Sequence, residues 1–569
     1  MKKSISIALL LSVIYFTSLA QAQKLTASSA YEYLQNERQK SDLVLGDSDK
    51  PPIDSLKKAE KILDEALKYY HRDDVVELAK NDKYLFGRES DILFDLAMIK
   101  LKQSENDRAV AILKNLFVKN GVYYDWIKDK PYFEGVKNST ILLPVIDKIQ
   151  ANNRILNGTS LDTKFQYNIS AAEKVAGLSK FWSEAKYNFA YFENVPNLDW
   201  DKLYLEYIPK VQNTKSTLEY YKLMLRFCAE LKDGHTNIWS TSDSLNNFVS
   251  YRPPIRSKLV EGKVIITSVF SDSLEKSGIK AGMEIISIDR IPVIKYAEEN
   301  VKPFQSASTT QDLLNRTYNS GLLRGNKNVP VDLELMGLDG KIFTRKLART
   351  GYRNLKVNPT VEFKMLPNNV AYFLINEFET SDSRKKFVAL FDSISKSSAL
   401  ILDIRLNGGG NTDFTILSYL TDKPIKPAQN FVQKYIPTNR AWGQSVEWEQ
   451  LSLSSKEPNG KNLYSKPVIL LTGPQTFSAA EDFAVAFDAM NRGKIMGEAT
   501  GGSTGQPLQF TLPGGLMGRV CTKRDLYPDG RVFVGVGVQP NITVKPNIAD
   551  IKTGKDTVLE AALKYLSGK

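Results

Sequence analysis

Histidine and cysteine are nearly absent from this chain, with two of each in 569 residues. With only His71 and His235, and no Cys/His run of ligand spacing, a zinc site is excluded, and neither a metal nor an organic cofactor is expected. Cys228 and Cys521 do not make a disulfide framework. A single bridge between them stays open, while Cys228 on an apolar helical face reads as a small buried hydrophobe. After Ile5 to Leu19 there is no second long apolar run, so no membrane-spanning helix is expected in the processed chain. The net charge is +12, yet no Lys/Arg block with interleaved aromatics stands out, which excludes a nucleic-acid partner and leaves at most a mild attraction to anionic envelope surfaces.

What is present starts with a secretory signal at 1–22: Lys2 and Lys3, the apolar stretch, and the small-x-small site Ala20-Gln-Ala22. It implies an exported chain, periplasmic or extracellular. The length calls for several domains. Residues 24–155 read as helical, with Leu56, Ile62, Leu63, Ala66, Leu67 and Tyr70 spaced mostly at three and four, followed by a helix pair at Asp91 to Gln103 and Asn106 to Lys119. We assign this region as a helical interaction domain, the place for a protein partner. Residues 160–245 carry a second helical stretch that ends in Lys232-Asp-Gly-His-Thr236.

From 250 to 350 the pattern turns to short strands and turns, with strands expected at Val264 to Val269, Met283 to Ile288, Val331 to Leu335 and Ile342 to Leu347. Residues 355–569 then alternate apolar strands (Val370 to Ile375, Ala399 to Ile404, Val468 to Thr472) with helices at Asp382 to Ser395 and Ala479 to Met490. That alternation is an α/β layered core, and its strand ends are where chemistry is sought.

Three pieces carry the chemistry. Ser478 follows the turn after one apolar strand and opens a helix, whose N-terminal N–H groups and dipole suit a developing oxyanion. The plain alternative makes Ser478 a helix cap, with Glu481 completing a capping box. Asp403-Ile-Arg-Leu-Asn-Gly-Gly-Gly-Asn411 ends a second strand, and its glycines can bring backbone N–H groups close to a ligand. The loop lacks the G-x-G-x-x-G and G-K-[ST] patterns, which disfavours a nucleotide. His235 is the candidate base, since an imidazole titrating near neutrality suits a serine nucleophile and His71 lies in a polar helical segment.

Together these residues resemble the C-terminal-processing, or tail-specific, serine peptidases, in the branch similar to the tricorn core and to interphotoreceptor retinoid-binding protein repeats. The resemblance runs from about 165 to 565 and includes Leu231-Lys-Asp-Gly-His-Thr236, Leu402-Asp-Ile-Arg-Leu-Asn-Gly-Gly-Gly410, Thr476-Phe-Ser-Ala-Ala-Glu481, Gly497-Glu-Ala-Thr-Gly-Gly502 and Gly535-Val-Gly-Val-Gln-Pro540. The segment Gly278 to Asp289 resembles a turn and strand of a PDZ domain, a module that binds peptide ends by strand addition.

The resemblance implies a multidomain α/β protein with a crotonase-like peptidase core. It implies Ser478 as nucleophile, His235 as general base, and an oxyanion hole from the N–H groups of Ala479 and Gly409. One branch of the family places a Lys base about 25 residues after the serine, where this chain has Ser503. The residue that orients His235 is open among Glu481, Glu498 and Asp525, with Gln506 as a neutral substitute. The expected activity is an endopeptidase acting on unstructured or C-terminal polypeptide segments, held partly by the PDZ-like domain. The alternative is an exported peptide-binding or scaffold protein that keeps the fold without hydrolysis.

Overall fold

The computed structural model describes residues 25–568 apart from 47, 49, 157–158, 352–357, 413, 452–454 and 461. The signal segment 1–22 and the start of the 355–569 region therefore lie outside the described residues. The chain divides into two compact units, 1–151 and 152–569.

The first unit is built from helices: Ala27–Leu45, Ile53–Tyr70, Asp73–Ala79, Lys83–Lys102, Asn106–Lys119 and Val122–Ile127, with Leu143–Leu156 closing it. The stripe Leu56, Ala59, Leu63, Ala66 and Tyr70 recurs at three and four residues and is buried against Leu34, Ile92 and Leu96. Helix Lys83–Lys102 begins eight residues before the expected Asp91, because Asp82 caps it by accepting from the N–H groups of Tyr84 and Leu85.

In the second unit, helices Ala171–Asn188, Trp200–Gln212 and Thr217–Ala229 lead to β1 (Asn237–Ser240). An antiparallel sheet follows, with β2 (Ile255–Val260), β3 (Lys263–Val269), β4 (Glu284–Ile288), β5 (Ile291–Pro292), β6 (Val331–Met336) and β7 (Ile342–Leu347) in the order β2-β3-β4-β6-β7 and β5 paired to β4. It has a core of its own around Ile255, Ile266, Ile285, Leu333 and Leu335.

The central sheet comprises β8 (Val361–Leu366), β9 (Val370–Ile375), β10 (Ala399–Asp403), β13 (Val468–Thr472), β14 (Lys494–Gly497) and β18 (Ile542–Thr543), in the order β18-β14-β13-β10-β9-β8. β9, β10, β13, β14 and β18 run parallel, and β8 is antiparallel. Both faces are covered. Phe373, Leu400, Leu402 and Leu470 pack with helices Asp382–Ser395 and Ala479–Ala489, while Tyr372, Leu374, Ile401 and Ile469 pack with helix Thr557–Leu566. This double coverage is why the strands read as unbroken apolar runs.

Two smaller antiparallel sheets complete the unit. One has the order β1-β16-β15, with β15 Pro507–Leu512 and β16 Leu516–Cys521; the other is β12-β11-β17, with β11 Gln429–Lys434, β12 Glu447–Leu451 and β17 Lys523–Leu526. The loops after β10 and β13, adjacent parallel strands, emerge side by side at their carboxyl ends, the usual place for a site in such a sheet.

Candidate active site

Ser478 sits at the turn between β13 and helix Ala479–Ala489 with φ 57° and ψ −128°. A residue with a Cβ pays roughly 1–3 kcal/mol to hold such a conformation, so the surroundings must impose it. They do so through the backbone: Phe477 N–H donates to the Asn407 carbonyl at 3.0 Å, and Ser478 N–H donates to the Ser503 carbonyl at 3.1 Å. The hydroxyl makes no helix-capping hydrogen bond. It lies 3.0 Å from His235 Nε2 instead. The capping-box reading is thereby corrected, because the turn aims Oγ away from the helix N–H groups.

His235 is 5% exposed and comes from the turn that feeds β1. Asp233, itself buried, accepts from the His235 N–H at 3.1 Å and from the Ser308 hydroxyl at 3.1 Å. The imidazole stacks on the Phe477 ring at 4.8 Å and 10°. Nδ1 lies 2.8 Å from Ser503 Oγ. For Nε2 to accept the Ser478 proton, Nδ1 must carry the ring hydrogen and donate it to Ser503. Burial, and after it the charges of Arg519, Arg316 and Lys523, pulls the imidazole down from 6.5 to about 3. The ring is therefore neutral at physiological pH and free to accept a proton.

Ser503 is the residue that sequence reasoning missed as the partner of His235. In the sequence its position shows only that a lysine is absent there. Of the expected orienting residues, Glu481 is committed to the backbone: Oε1 accepts from Thr500 Oγ1 (2.5 Å) and Gly502 N (2.7 Å), and Oε2 from Ser503 N (2.8 Å). Glu481 therefore pins the loop that carries Ser503, and burial pushes its carboxyl up to about 8. Glu498 pairs with Lys258. Asp525 accepts from Thr504 Oγ1 at 2.6 Å and pairs with Lys523 at 3.0 Å. Gln506 meets Thr522 through its backbone carbonyl. The structure brings none of these four to the imidazole.

The glycine loop also departs from expectation at one atom. The Gly409 N–H donates to Asn407 Oδ1 at 2.9 Å, so it is not available to an oxyanion. Asn407 is buried and anchored by its own donation to the Ile375 carbonyl at 3.2 Å. Gly409 serves by close approach: at φ 108°, an added Cβ would stand 2.7 Å from Ser478 Cβ and 3.1 Å from Ala479 N. The N–H groups of Ala479, Gly408 and Gly410 donate to no acceptor among the described residues. Cys228 and Cys521 are both free, the first against the Thr236 carbonyl at 3.4 Å and the second against the Thr504 carbonyl at 3.5 Å.

A strained serine beyond a strand, a neutral imidazole on its hydroxyl and undonated N–H groups beside it are the parts that nucleophilic acyl transfer requires. Residues 369–544 match the model of peptidase family S41. The carboxy-terminal processing protease CtpA of Bacillus subtilis (strain 168) is 25% identical over 319 residues, which cover 54% of this chain and 58% of that protein. A probable CtpA-like serine protease of Staphylococcus aureus (strain COL) is 25% identical over 213 residues, covering 35% and 39%. The chain thus spans less than two thirds of the length of these curated relatives. In fold it is similar to mature CPAF, solved in complex with lactacystin, with a TM-score of 0.55 and 16% identity over 70% of this chain and 97% of that one. Residues 369–544 thus carry the likeness to peptidase family S41, within a chain similar to the C-terminal processing proteases.

Proposed function

We propose that this chain is an exported endopeptidase that cleaves unstructured or C-terminal polypeptide segments through an acyl-enzyme on Ser478. The observation that carries the reading is the 3.0 Å approach of Ser478 Oγ to a buried, neutral His235 Nε2. As Oγ attacks the scissile carbonyl, Nε2 takes its proton and later returns it to the leaving amine. Ala479 N–H, with the N–H of Gly408 or Gly410, holds the oxyanion; Gly409 is excluded by its bond to Asn407. Water then hydrolyses the ester.

In this reading Ser503 replaces the acid of a Ser-His-Asp triad, fixing the ring tautomer without supplying a counter-charge. The β2–β7 sheet, PDZ-like in element order, presents the tail. The segment between β5 and β6 reaches the site directly, since Ser308 Oγ accepts from the Gly234 N–H at 2.9 Å and Thr309 Oγ1 donates to the Gly501 carbonyl at 2.8 Å. Among the described residues no helix is long and apolar enough to cross a membrane. The helical unit at 1–151 is the place for a protein partner.

Covalent labelling by a fluorophosphonate tests the reading. Wild type is expected to be labelled and Ser478→Ala not; an unlabelled wild type across pH 6 to 9, roughly the span over which an imidazole base is normally deprotonated, overturns it in favour of a non-hydrolytic binding protein.

Ser503→Ala is expected to lower kcat by about 10²-fold with KM little changed, because the ring loses its tautomer lock and not a substrate contact. In wild type, kcat/KM is expected to hold on acidification well below pH 6.5, since the free-enzyme imidazole titrates at about 3. Stability runs the other way across that window. The unfolded ring binds a proton between pH 6.5 and about 3 and the folded ring does not, so acidification through it destabilises the fold, which a pH series of thermal melts reads.

A further inference from the structure

Three cations act on His235, and they are not held alike. Lys523 is paired with Asp525 at 3.0 Å. Arg316, on the turn after helix Thr310–Asn315, is gripped by Asp312, with Nε 2.8 Å from both carboxylate oxygens. Arg519 has no carboxylate at ion-pair distance among the described residues. Its Nε and Nη2 both donate to one amide oxygen, Asn237 Oδ1, at 2.9 and 2.6 Å.

Arg519 is half-buried on β16, opposite Asn237 of β1 and therefore two residues along from His235. Burial, and next the neighbouring Arg316 guanidinium, draws it below the ordinary arginine range. Asp233 opposes that shift from the His235 turn, but its oxygens are already taken by the His235 N–H and the Ser308 hydroxyl. Arg316 Nη2 meanwhile reaches the Gly234 carbonyl at 3.4 Å, and its guanidinium lies 5.2 Å from the centre of the Phe477 ring on which His235 stacks. Two guanidiniums thus stand by the His235 turn, and Arg519, partly desolvated, meets a neutral amide oxygen where a carboxylate could sit. Holding a cation this way is costly unless an anion arrives to meet it.

We propose that Arg519, with Arg316 beside it, forms an anion subsite next to Ser478 and His235 that takes a carboxylate of the polypeptide substrate close to the scissile bond. The proposal rests on the peptidase reading and adds its substrate class. The carboxylate is either an Asp or Glu side chain or the free end of the chain; an arginine fork meets both in the same bidentate geometry. Docking there also bears on the chemistry. After burial, which holds the imidazole low first, come the charges of Arg519, Arg316 and Lys523, so a bound carboxylate offsets part of the depression and raises the basicity of Nε2 when substrate is present.

The experiment is digestion of an unstructured polypeptide by the full chain, with cut sites mapped by mass spectrometry, followed by matched peptides around the strongest cut. The peptides carry Asp or Asn at the flanking acidic position, each with a free or amidated C-terminus. Wild type is expected to prefer a carboxylate peptide over its amide by about tenfold in kcat/KM, and Arg519→Met to compress that ratio towards one. Preference for Asp over Asn assigns the subsite to a side chain; preference for the free terminus assigns it to the tail. Equal rates for all wild-type pairs, or a preference unchanged in Arg519→Met, overturn the proposal. Fluorophosphonate labelling of both proteins is the separate readout. An unlabelled wild type sinks the peptidase reading itself, whereas intact labelling without charge preference sinks only the subsite. If Arg519→Met alone is unlabelled through misfolding, Arg519→Gln and the wild-type pairs decide.

Discussion

Ser478→Ala and His235→Ala are each expected to lower kcat/KM by about 10⁴–10⁶-fold, and the double variant to lose almost nothing further. The reason is geometric. The hydroxyl and Nε2 share one proton across 3.0 Å, and neither has another use in the reaction: Oγ does not cap its helix, and Nδ1 is committed to Ser503. Removing either leaves the undonated N–H groups to polarise a bound carbonyl, which sustains only a residual rate. The measurement is a double-mutant cycle on a peptide substrate, with binding to each variant checked separately. Full additivity of the two losses would separate the residues into independent roles and contradict the assignment.

Gly409→Ala is expected to cost about 10²–10³-fold in kcat/KM although the residue loses no hydrogen-bonding group. Its N–H would still be available to Asn407, but the new Cβ would stand 2.7 Å from Ser478 Cβ and 2.9 Å from the Phe477 carbonyl oxygen, a separation that real side chains do not tolerate. Relief by moving Ser478 breaks the alignment with His235; relief by moving the loop pulls on Asn407 and the Phe477 N–H bonded to its carbonyl. The φ of 108° adds strain of its own, so a stability loss of roughly 1–3 kcal/mol accompanies the rate loss. Kinetics read alongside thermal melts separate the two effects. Activity near the wild-type level would show that Ser478 does not depend on this approach.

Much of the core was legible because its physics is local. β9 and β13 were readable to the residue, since a strand covered by helices on both faces must be apolar at every position. Helices Asn106–Lys119 and Asp382–Ser395 were equally plain from their periodicity. The antiparallel strands β8, β11, β12, β15, β16 and β17 were not singled out. They are short and mix Lys, Glu, Gln and Arg with apolar residues, because each is only partly covered and so lacks an unbroken apolar run.

The site divides along the same line. By itself the sequence determined the residue types that chemistry requires: a serine between a strand and a helix, a glycine triplet after another strand, and, with two histidines in the chain, almost no choice of base. Those are statements about composition and local order, which a chain carries before it folds. Tertiary structure alone decided which atoms meet. It turned Ser478 from cap to nucleophile geometry, set Ser503 rather than Glu481, Glu498 or Asp525 against Nδ1, and gave the Gly409 N–H to Asn407. His235 lies 243 residues from Ser478 and 268 from Ser503, so no local pattern encodes those contacts. They follow from the packing of β1 on β16 and of the loops after β10 and β13, where burial and hydrogen-bond satisfaction choose among groups that the sequence merely supplies.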